Sequence, residues 1–263
     1  MPFPMLYPIL SFFVASAWVS LATIITERYG TKKGGVITTL PSALVVALFF
    51  IGIQEGADFA AETAIVVPAE MGINAIFLAV FITLIKHGLP KALTGAMAAW
   101  FLLSFSLLLL LEPLLIVTLG IYSLCVVSMI IWLRKRHRYR AQPGKKVYYA
   151  KKEIMARGLF AGILIALAIF LANIGGPVLG GIFSVFPAIF TSTMVILYLK
   201  QGPEFTGATG STMVLGSVNV VFYSVLVSYS YPWLGVINGT IVSLVLGYLW
   251  AFGLFTIITR NGC

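Results

Sequence analysis

Gly34-Gly35-Val36-Ile37-Thr38-Thr39-Leu40-Pro41 is a stretch that the chain repeats, in altered form, as Gly180-Gly181-Ile182-Phe183-Ser184-Val185-Phe186-Pro187. Positions 34 and 180 set an offset of 146 residues between the copies. At the same offset, without a gap, Gly56-Ala57-Asp58-Phe59 aligns with Gly202-Pro203-Glu204-Phe205. We interpret this agreement as an internal duplication, because a fixed period is the sequence signature of repeated structure. The alternative is that Gly, Pro and Thr are simply common in membrane helices.

The composition is that of a membrane protein. Apolar residues make up 60% of the chain, charged residues 10%, and the mean hydropathy is +1.04. Soluble domains carry about 25% charged residues, so the expected solvent is the lipid bilayer and the expected location is the cell membrane, crossed several times. Cys125 and Cys263 lie far apart and give neither a disulfide framework nor metal-ligand spacing, and no cofactor is expected.

Apolar segments of spanning length recur along the chain. A helix that crosses the hydrocarbon core needs about 20 mostly apolar residues, and helices are expected because unpaired backbone groups in lipid are too costly. The predicted fold class is an all-α polytopic membrane protein with about nine transmembrane helices. The segments that qualify are roughly 5–26, 36–54, 65–85, 92–111, 113–133, 157–174, 178–199, 207–229 and 234–258.

Basic residues separate the two sides of the membrane, because cytoplasmic loops carry an excess of Lys and Arg. With the N-terminus outside and the C-terminus inside, every basic loop falls on the cytoplasmic side. The opposite loops contain Glu55, Asp58 and Glu112 and no Lys or Arg. The basic positions are Arg28, Lys32, Lys33, Lys86, Lys91, ten residues between Arg134 and Arg157, Lys200 and Arg260.

The segment 134–152 concentrates much of this charge in one loop. We interpret it as a topology anchor that keeps the loop in the cytoplasm, with contact to anionic lipid headgroups as a by-product. Nucleic acid, which the net charge of +9 would suit, is not an expected partner, because the charge follows the membrane topology.

The span at 113–133 orients the two copies. Two units of four spans joined directly would face the same way, and one extra span between them reverses the second. The predicted organisation is a 4+1+4 inverted repeat, which is typical of secondary transporters. Its parts are residues 1–111 as repeat 1, 112–134 as the linker span, 135–156 as the basic cytoplasmic loop and 157–263 as repeat 2.

The half-motif Gly-x-x-x-x-[Leu/Phe]-Pro, which ends at Pro41 and again at Pro187, resembles that of small inner-membrane proteins of the GlpM-like type. The resemblance implies repeated short multi-helix units and covers the first two spans of each half. The inverted organisation is also similar to that of drug/metabolite transporters, which pair five-span halves. Because this chain departs from them with its 4+1+4 count, no functional residue is carried over.

Glycine pairs and prolines interrupt spans two and seven at corresponding positions. Proline inside a helix removes a backbone donor, and glycines let a helix unwind or approach a neighbour closely. Interrupted helices at corresponding positions of two halves indicate a transport site, whereas kinks that only serve bundle packing are the alternative. The substrate- or ion-binding candidates in this group are Thr38, Thr39, Pro41, Ser42, Ser184, Pro187, Thr191 and Thr209.

Acidic and amide residues form a second group of candidates. An ionisable group inside a span costs at least about 2.5–3.5 kcal/mol, so it is a functional candidate by default. Glu70 is the strongest, as a group that exchanges protons or binds a cation, and structural pairing is its alternative. For Asp58 the alternative is a solvated helix-cap role. The group consists of Asp58, Glu62, Glu70, Asn74, Glu204 and Asn219, the expected counterpart of Asn74.

No enzyme motif occurs, since the chain has neither a Walker glycine loop nor a His-Glu-x-x-His sequence, and an enzyme is not expected. The predicted function is secondary transport of a small solute or cation by alternating access, with proton or cation coupling as an option. The acids favour a cationic or cation-coupled substrate, and the expected lack of mid-membrane Lys or Arg argues against a strongly anionic one. The alternatives are a passive ion or solute channel, a homo-oligomer in that case, and a non-transporting assembly subunit.

Overall fold

The computed structural model describes the backbone of residues 6–38, 41–110, 112–136 and 150–260, with side chains for 6–24, 41–110, 112–133, 135 and 150–253. Its elements are helical throughout, and no strand occurs in these ranges. A 3-10 turn, Ile85–His87, joins the third and fourth α-helices. The α-helices are α1 Leu6–Thr38, α2 Ser42–Glu55, α3 Ala57–Leu84, α4 Leu89–Leu110, α5 Leu115–Arg136, α6 Lys151–Ser184, α7 Ala188–Gly216 and α8 Val218–Arg260.

Large apolar side chains cover the outside of the bundle. Leu110 is 83% exposed, Ile116 82% and Leu124 72%, all on α4, α5 and the link between them. Five helical stretches of the described chain are long and apolar enough to cross a membrane, the last of them running from Lys151 to Gly253. An apolar surface of this extent fits lipid and not water. The predicted class, an all-helical protein with helices fit for a membrane, is confirmed at this level.

Glycines with positive φ divide the long helices. α6 turns at Gly176 (φ 83°), α7 at Gly202 (φ 83°) and α8 at Gly235 (φ 71°). In the first half, Gly56 (φ 103°) separates α2 from α3, and Gly88 (φ 101°) precedes α4. A side chain at any of these positions would be strained, because only glycine enters this region at no steric cost. Each glycine therefore ends one straight helical segment and begins the next.

The backbone repeats at the 146-residue offset found in the sequence. Gly56 and Gly202, which are equivalent at that offset, have φ/ψ of 103°/163° and 83°/178°. Pro41 and Pro187 have φ/ψ of −75°/44° and −73°/36°. Gly235, the counterpart of Gly88, lies one residue out of register. The two halves thus follow the same backbone path at these positions.

The two prolines do not lie inside helices that begin with glycine pairs, and that expectation was wrong. Pro187 is the residue before α7, and its carbonyl accepts the Thr191 N–H at 2.8 Å. Gly180 and Gly181 lie in the last turn of α6, on the other side of a short non-helical link. The reason is that a proline needs no backbone donor at a helix start, where its fixed φ suits the first turn.

Helix α3 is the centre of the structure. It packs against α2, α4, α5, α6, α7 and α8, and most of its length is buried. Small residues on its faces, among them Ala60, Ala64 and Gly72, let the neighbouring backbones come close. A Cβ at Gly72 would stand only 3.1 Å from the Tyr122 Cα of α5. The buried position of α3 decides which polar side chains are removed from both water and lipid.

Replacing Gly181 with alanine is expected to destabilise the fold. The added Cβ would lie 2.6 Å from Val66 Cβ and 2.8 Å from the Thr63 carbonyl oxygen on α3. Overpacking of this kind costs about 1–3 kcal/mol. The measurement is the thermal midpoint of the protein in detergent micelles, followed by circular dichroism.

The matched control is Gly120→Ala on α5, where an added Cβ meets nothing within 4 Å. Its midpoint is expected to stay unchanged or rise, because alanine has the higher helix propensity. Equal midpoints for the two variants would show that the contact between α6 and α3 is not tight.

Candidate functional site

Glu70 is a fully buried carboxylate on α3, with 0% of the residue exposed. Ser104 Oγ on α4 donates a hydrogen bond to its Oε1 at 2.6 Å. The Trp100 indole, also on α4, interacts with the same carboxyl, although its N–H is outside hydrogen-bonding geometry. Oε2 accepts no hydrogen bond from the described residues. The carboxyl is thus hydrogen-bonded by one side chain of α4, Ser104, and lies next to a second, Trp100.

The positions of these residues in their helices explain the contact. Glu70 lies midway along α3, about 20 Å from each end at 1.5 Å per residue. Trp100 and Ser104 are four residues apart, so they lie on one face of α4, one turn above the other. That face packs on α3. The middle of the bundle therefore contains a carboxyl group rather than an apolar side chain.

The charge of this carboxylate is not balanced by a basic residue in contact with it, since its contacts are Ser104 and Trp100. The described part of the chain has one ion pair, Lys200 Nζ to Glu153 Oε2 at 2.7 Å, at the helix ends. An isolated carboxylate ion in an apolar interior is so unfavourable that it takes up a proton or binds a cation. The compensating charge of Glu70 must therefore come from outside the described chain.

Glu153 shows the contrast with an acid at the surface. The hydrogen bond from Lys200, with help from the Ala150 N–H, holds the pKa of the Glu153 carboxyl below its ordinary value. A lowered folded-state pKa means that this pair stabilises the fold at neutral pH and loses its contribution as the pH falls through that pKa. Glu153 is thus a structural acid with a visible partner.

Asn74, one turn after Glu70, connects α3 to the link between α6 and α7. Its Nδ2 donates to the Val185 carbonyl oxygen at 2.8 Å and to Met71 Sδ at 3.6 Å. Its Oδ1 has no hydrogen-bond donor among the described residues. Both amide hydrogens are therefore used, and the amide oxygen is not.

The link that Asn74 holds is the break between two helices. α6 ends at Ser184, α7 begins at Ala188, and Val185 lies between them. Aromatic rings pack α4 onto this break: the Trp100 ring centroid is 4.8 Å from that of Phe186 and 6.1 Å from that of Phe183. The break, the buried carboxyl and the amide are consequently one continuous cluster, which we call the central cluster.

Part of the predicted site falls in or beside this cluster. Glu70 and Asn74 form its α3 side, and Ser184 and Pro187 flank the break. Ser184 Oγ donates to the Gly181 carbonyl at 2.8 Å, within its own helix. Thr191, one turn into α7, has a buried Oγ1 that no described residue contacts by a hydrogen bond.

The other predicted residues lie elsewhere. Asp58, Glu62 and Glu204 are exposed, and Asp58 is about 18 Å from Glu70 along the α3 axis. Thr209 donates to the Phe205 carbonyl at 3.0 Å, as its equivalent Thr63 does to Phe59 at 2.9 Å. Pro41 and the half-buried Ser42 begin α2, Asn219 is buried near the start of α8, and Thr39 and the Thr38 side chain lie outside the described residues.

Ser104 and Trp100 are the functional residues that sequence reasoning missed. The available signal for Ser104 was that it is one of two serines, with Ser106, in the otherwise apolar segment 101–111. Tyr122 was missed as well: its hydroxyl lies 2.9 Å from Ser217 Oγ, where α7 gives way to α8. Tyr122 thus ties α5 to a second discontinuity of the bundle.

Arg157 corrects the prediction that the basic loop extends to this residue. It is part of α6, is 8% exposed, and donates from Nη2 to Thr193 Oγ1 at 3.1 Å. A guanidinium therefore lies inside the bundle, about 9 Å along α6 from Lys151. The argument against a strongly anionic substrate assumed that the membrane interior contains no Lys or Arg. At this end of α6 the bundle does contain a buried basic group.

The fold and the central cluster define an all-helical protein whose helices suit a membrane. Residues 8–112 match the model of a family described as "Protein of unknown function (DUF3147)". The match is to less than half of the chain, and it ends just after α4. Neither a curated protein nor a solved structure matches the chain.

Loss of the Asn74 amide is expected to destabilise the protein. Asn74→Leu leaves the buried Val185 carbonyl without its donor, which costs about 1–3 kcal/mol. Thr94→Val is the control, because Thr94 is exposed and bonds only its own helix, to the Pro90 carbonyl at 2.9 Å and the Lys91 carbonyl at 3.3 Å. The measurement is the thermal midpoint of each variant in detergent. A fall in the midpoint of Asn74→Leu no greater than that of Thr94→Val would contradict this role.

Proposed function

We propose that the protein is a secondary transporter that moves a small solute or cation across the cell membrane by alternating access, coupled to a proton or another cation. The observation that carries the proposal is Glu70, a buried carboxyl without a basic partner in contact, beside a broken helix. Intramembrane carboxyls of this kind mark ion pathways, and discontinuous helices bear the sites of many transporters.

The glycine turns support a nine-span topology. Gly176, Gly202 and Gly235 divide the long stretch from Lys151 into segments of roughly spanning length. In this topology residues 177–201 form one span, interrupted near its middle at Val185–Pro187. In the first half Pro41 also lies directly before a helix, α2, while α1 is a single helix from Leu6 to Thr38. With α5 between the halves, the count is four, one and four.

The packing of α1 on α6 supports the inversion of the halves. Gly162 is the equivalent of Ser16 at the 146-residue offset, and Gly158 is the equivalent of Phe12. A Cβ on Gly162 would meet the Phe12 carbonyl at 2.6 Å, and one on Gly158 would meet the Ser16 carbonyl at 2.7 Å. The helices are therefore antiparallel, and exchanging the halves turns each contact into the other. A pseudo-twofold axis in the membrane plane, near Ser16 and Gly162, accounts for both contacts.

Polar contacts between segments assigned to the same side support the proposed sides. Asn173 Nδ2 donates to Glu55 Oε1 at 2.7 Å, which joins two loops assigned to the outside. Lys200 pairs with Glu153 at 2.7 Å, which joins two segments assigned to the cytoplasm. We expect the substrate to bind between the two interrupted spans, next to the backbone before Pro41 and Pro187. The basic loop would contact anionic headgroups on the cytoplasmic side.

Glu70→Gln is expected to abolish coupled transport while the folded protein stays in the membrane. Glutamine keeps an oxygen for the Ser104 hydrogen bond but cannot carry the charge. Uptake into proteoliposomes is measured with a panel of radiolabelled solutes, comprising sodium, potassium, magnesium and small organic amines, with imposed pH gradients. At least one solute should enter saturably and show counterflow. Its rate of uptake should be at least about tenfold lower in the variant than in the unmodified protein.

The control is Glu112→Gln, which removes an exposed carboxylate from the link between α4 and α5 and should transport as the unmodified protein does. Conductance without saturation or counterflow would indicate a channel instead. Uptake by Glu70→Gln equal to that of the control at every pH would remove Glu70 from the mechanism.

A further inference from the structure

We propose that the ion exchanged at the central cluster is the proton, and that protonation of Glu70 closes a hydrogen-bonded latch through Asn74 onto the Val185 carbonyl. This inference rests on the proposed function and deepens it, because it names the coupling ion and the part of the fold that responds to it. It is carried by the arrangement of donors and acceptors around two side chains of α3.

The groups around the Glu70 carboxyl suit a proton and not a metal ion. The contacts are the Ser104 hydroxyl, which donates to Oε1, and the Trp100 indole, whose nitrogen carries a hydrogen and has no lone pair for a metal. Hard cations take several oxygen ligands, and the described residues contain no group of three His, Cys, Asp or Glu side chains that could hold one. A proton binds to a single oxygen and takes up almost no volume. This fits the tight burial of Glu70 and Asn74, which are 0% and 1% exposed.

Asn74 is placed to accept the hydrogen of a protonated Glu70. Residues four apart on a helix are neighbours, with Cβ atoms about 5–6 Å apart, within reach of both side chains. Glu70 Oε2 and Asn74 Oδ1 are buried, and neither has a hydrogen-bond partner in the described chain. The amide orientation is fixed by its other end, because Nδ2 already donates to Val185 and Met71.

Protonation then completes a chain of hydrogen bonds. A proton from water forms an O–H bond at Glu70 Oε2, that O–H donates to Asn74 Oδ1, and Asn74 Nδ2 continues to donate to the Val185 carbonyl. When the proton returns to water, two acceptors face each other and repel. The amide turns to donate to the carboxylate, and the Val185 carbonyl loses its donor. The break between α6 and α7 is held in the first state and released in the second.

Among the described residues, no charged group contacts the Glu70 carboxyl, whose neighbours are Ser104 and Trp100. The helices packed against α3 carry further titratable or charged groups in the described residues, and α3 carries two of its own. They are Glu55 on α2; Asp58 and Glu62 on α3; Lys86 and His87 in the turn; Lys91 on α4; Tyr122, Cys125 and Lys135 on α5; Lys151, Lys152, Glu153 and Arg157 on α6; Tyr198, Lys200 and Glu204 on α7; and Tyr223, Tyr229, Tyr231 and Tyr248 on α8.

The test measures how accessible the break is. Ser184→Cys is introduced into a full-length protein whose Cys125 and Cys263 are replaced by serine, and a methanethiosulfonate reagent is applied to proteoliposomes from pH 5 to 9. The labelling rate is divided by that of Thr94→Cys, an exposed position on α4, which removes the pH dependence of the reagent itself. The ratio is expected to rise about five- to hundredfold with pH, as one buried hydrogen bond is lost.

Two variants and a control fix the interpretation. Glu70→Gln, whose amide donates as a protonated carboxyl does, should give a low ratio at every pH. Asn74→Leu should give a high ratio at every pH, and Glu112→Gln, at an exposed position outside the candidate site, should keep the full response. If Glu70→Gln does not fold, a pH response that persists in Asn74→Leu is sufficient to overturn the latch.

Failure of the latch and failure of the proposed function are distinguishable, because the labelling ratio requires no transported solute. A ratio independent of pH in the unmodified background, alongside saturable uptake, overturns the latch and leaves the transporter. A normal pH response without uptake of any solute leaves the latch and counts against transport. Sodium-dependent labelling at constant pH, lost in Glu70→Gln, would show that the ion is sodium and not the proton.

Discussion

The structure depends on one constraint: the carboxyl group of Glu70 is removed from water in the middle of the most buried helix, without a basic partner in contact with it. Two donors from α4, the Ser104 hydroxyl and the nearby Trp100 indole, are what the chain provides for it. Donors stabilise a carboxylate but do not neutralise it, and in the function that we propose the charge is cancelled by an ion that binds and leaves. The other parts of the central cluster, the Asn74 amide and the break between α6 and α7, lie next to this carboxyl.

Of the two segments that align at the 146-residue offset, only the first carries such an acid. The position equivalent to Glu70 at the 146-residue offset is Gly216, and there the second half changes helix instead of continuing through a long one. Ser217, at this change, bonds the Tyr122 hydroxyl of α5, which in the first half packs against Gly72. The halves thus share a backbone plan but differ at the centre. In our account one half carries the ion and the other carries the break that responds to it.

Hydropathy was enough to predict the helical class, and the cost of burying a charge was enough to single out Glu70, which the structure buries together with Asn74. Position along a helix could not be read in the same way. The local sequence around Pro187 does not tell whether the proline precedes a helix or lies inside one. The structure shows that it precedes α7, after a break in the helix. Arg157 looked like part of the basic loop because α6 begins with two lysines.

Contacts between distant helices could not be predicted at all. Ser104 lies 34 residues from Glu70, and Val185 lies 111 residues from Asn74, so no local pattern joins either pair. Pro41 and Pro187, which align at the offset of 146 residues, have similar backbone angles. The offset could not indicate that Gly216, the position equivalent to Glu70, ends a helix instead of lying in the middle of one.

The account is tested most directly by infrared difference spectroscopy of the protein in lipid, recorded while the pH is varied with and without sodium. It predicts one buried carboxyl whose protonated C=O band appears on acidification, independently of sodium, and is missing from Glu70→Gln. Identical difference spectra for the unmodified protein and Glu70→Gln, at every pH and sodium concentration, would show that Glu70 exchanges no ion and would contradict the account.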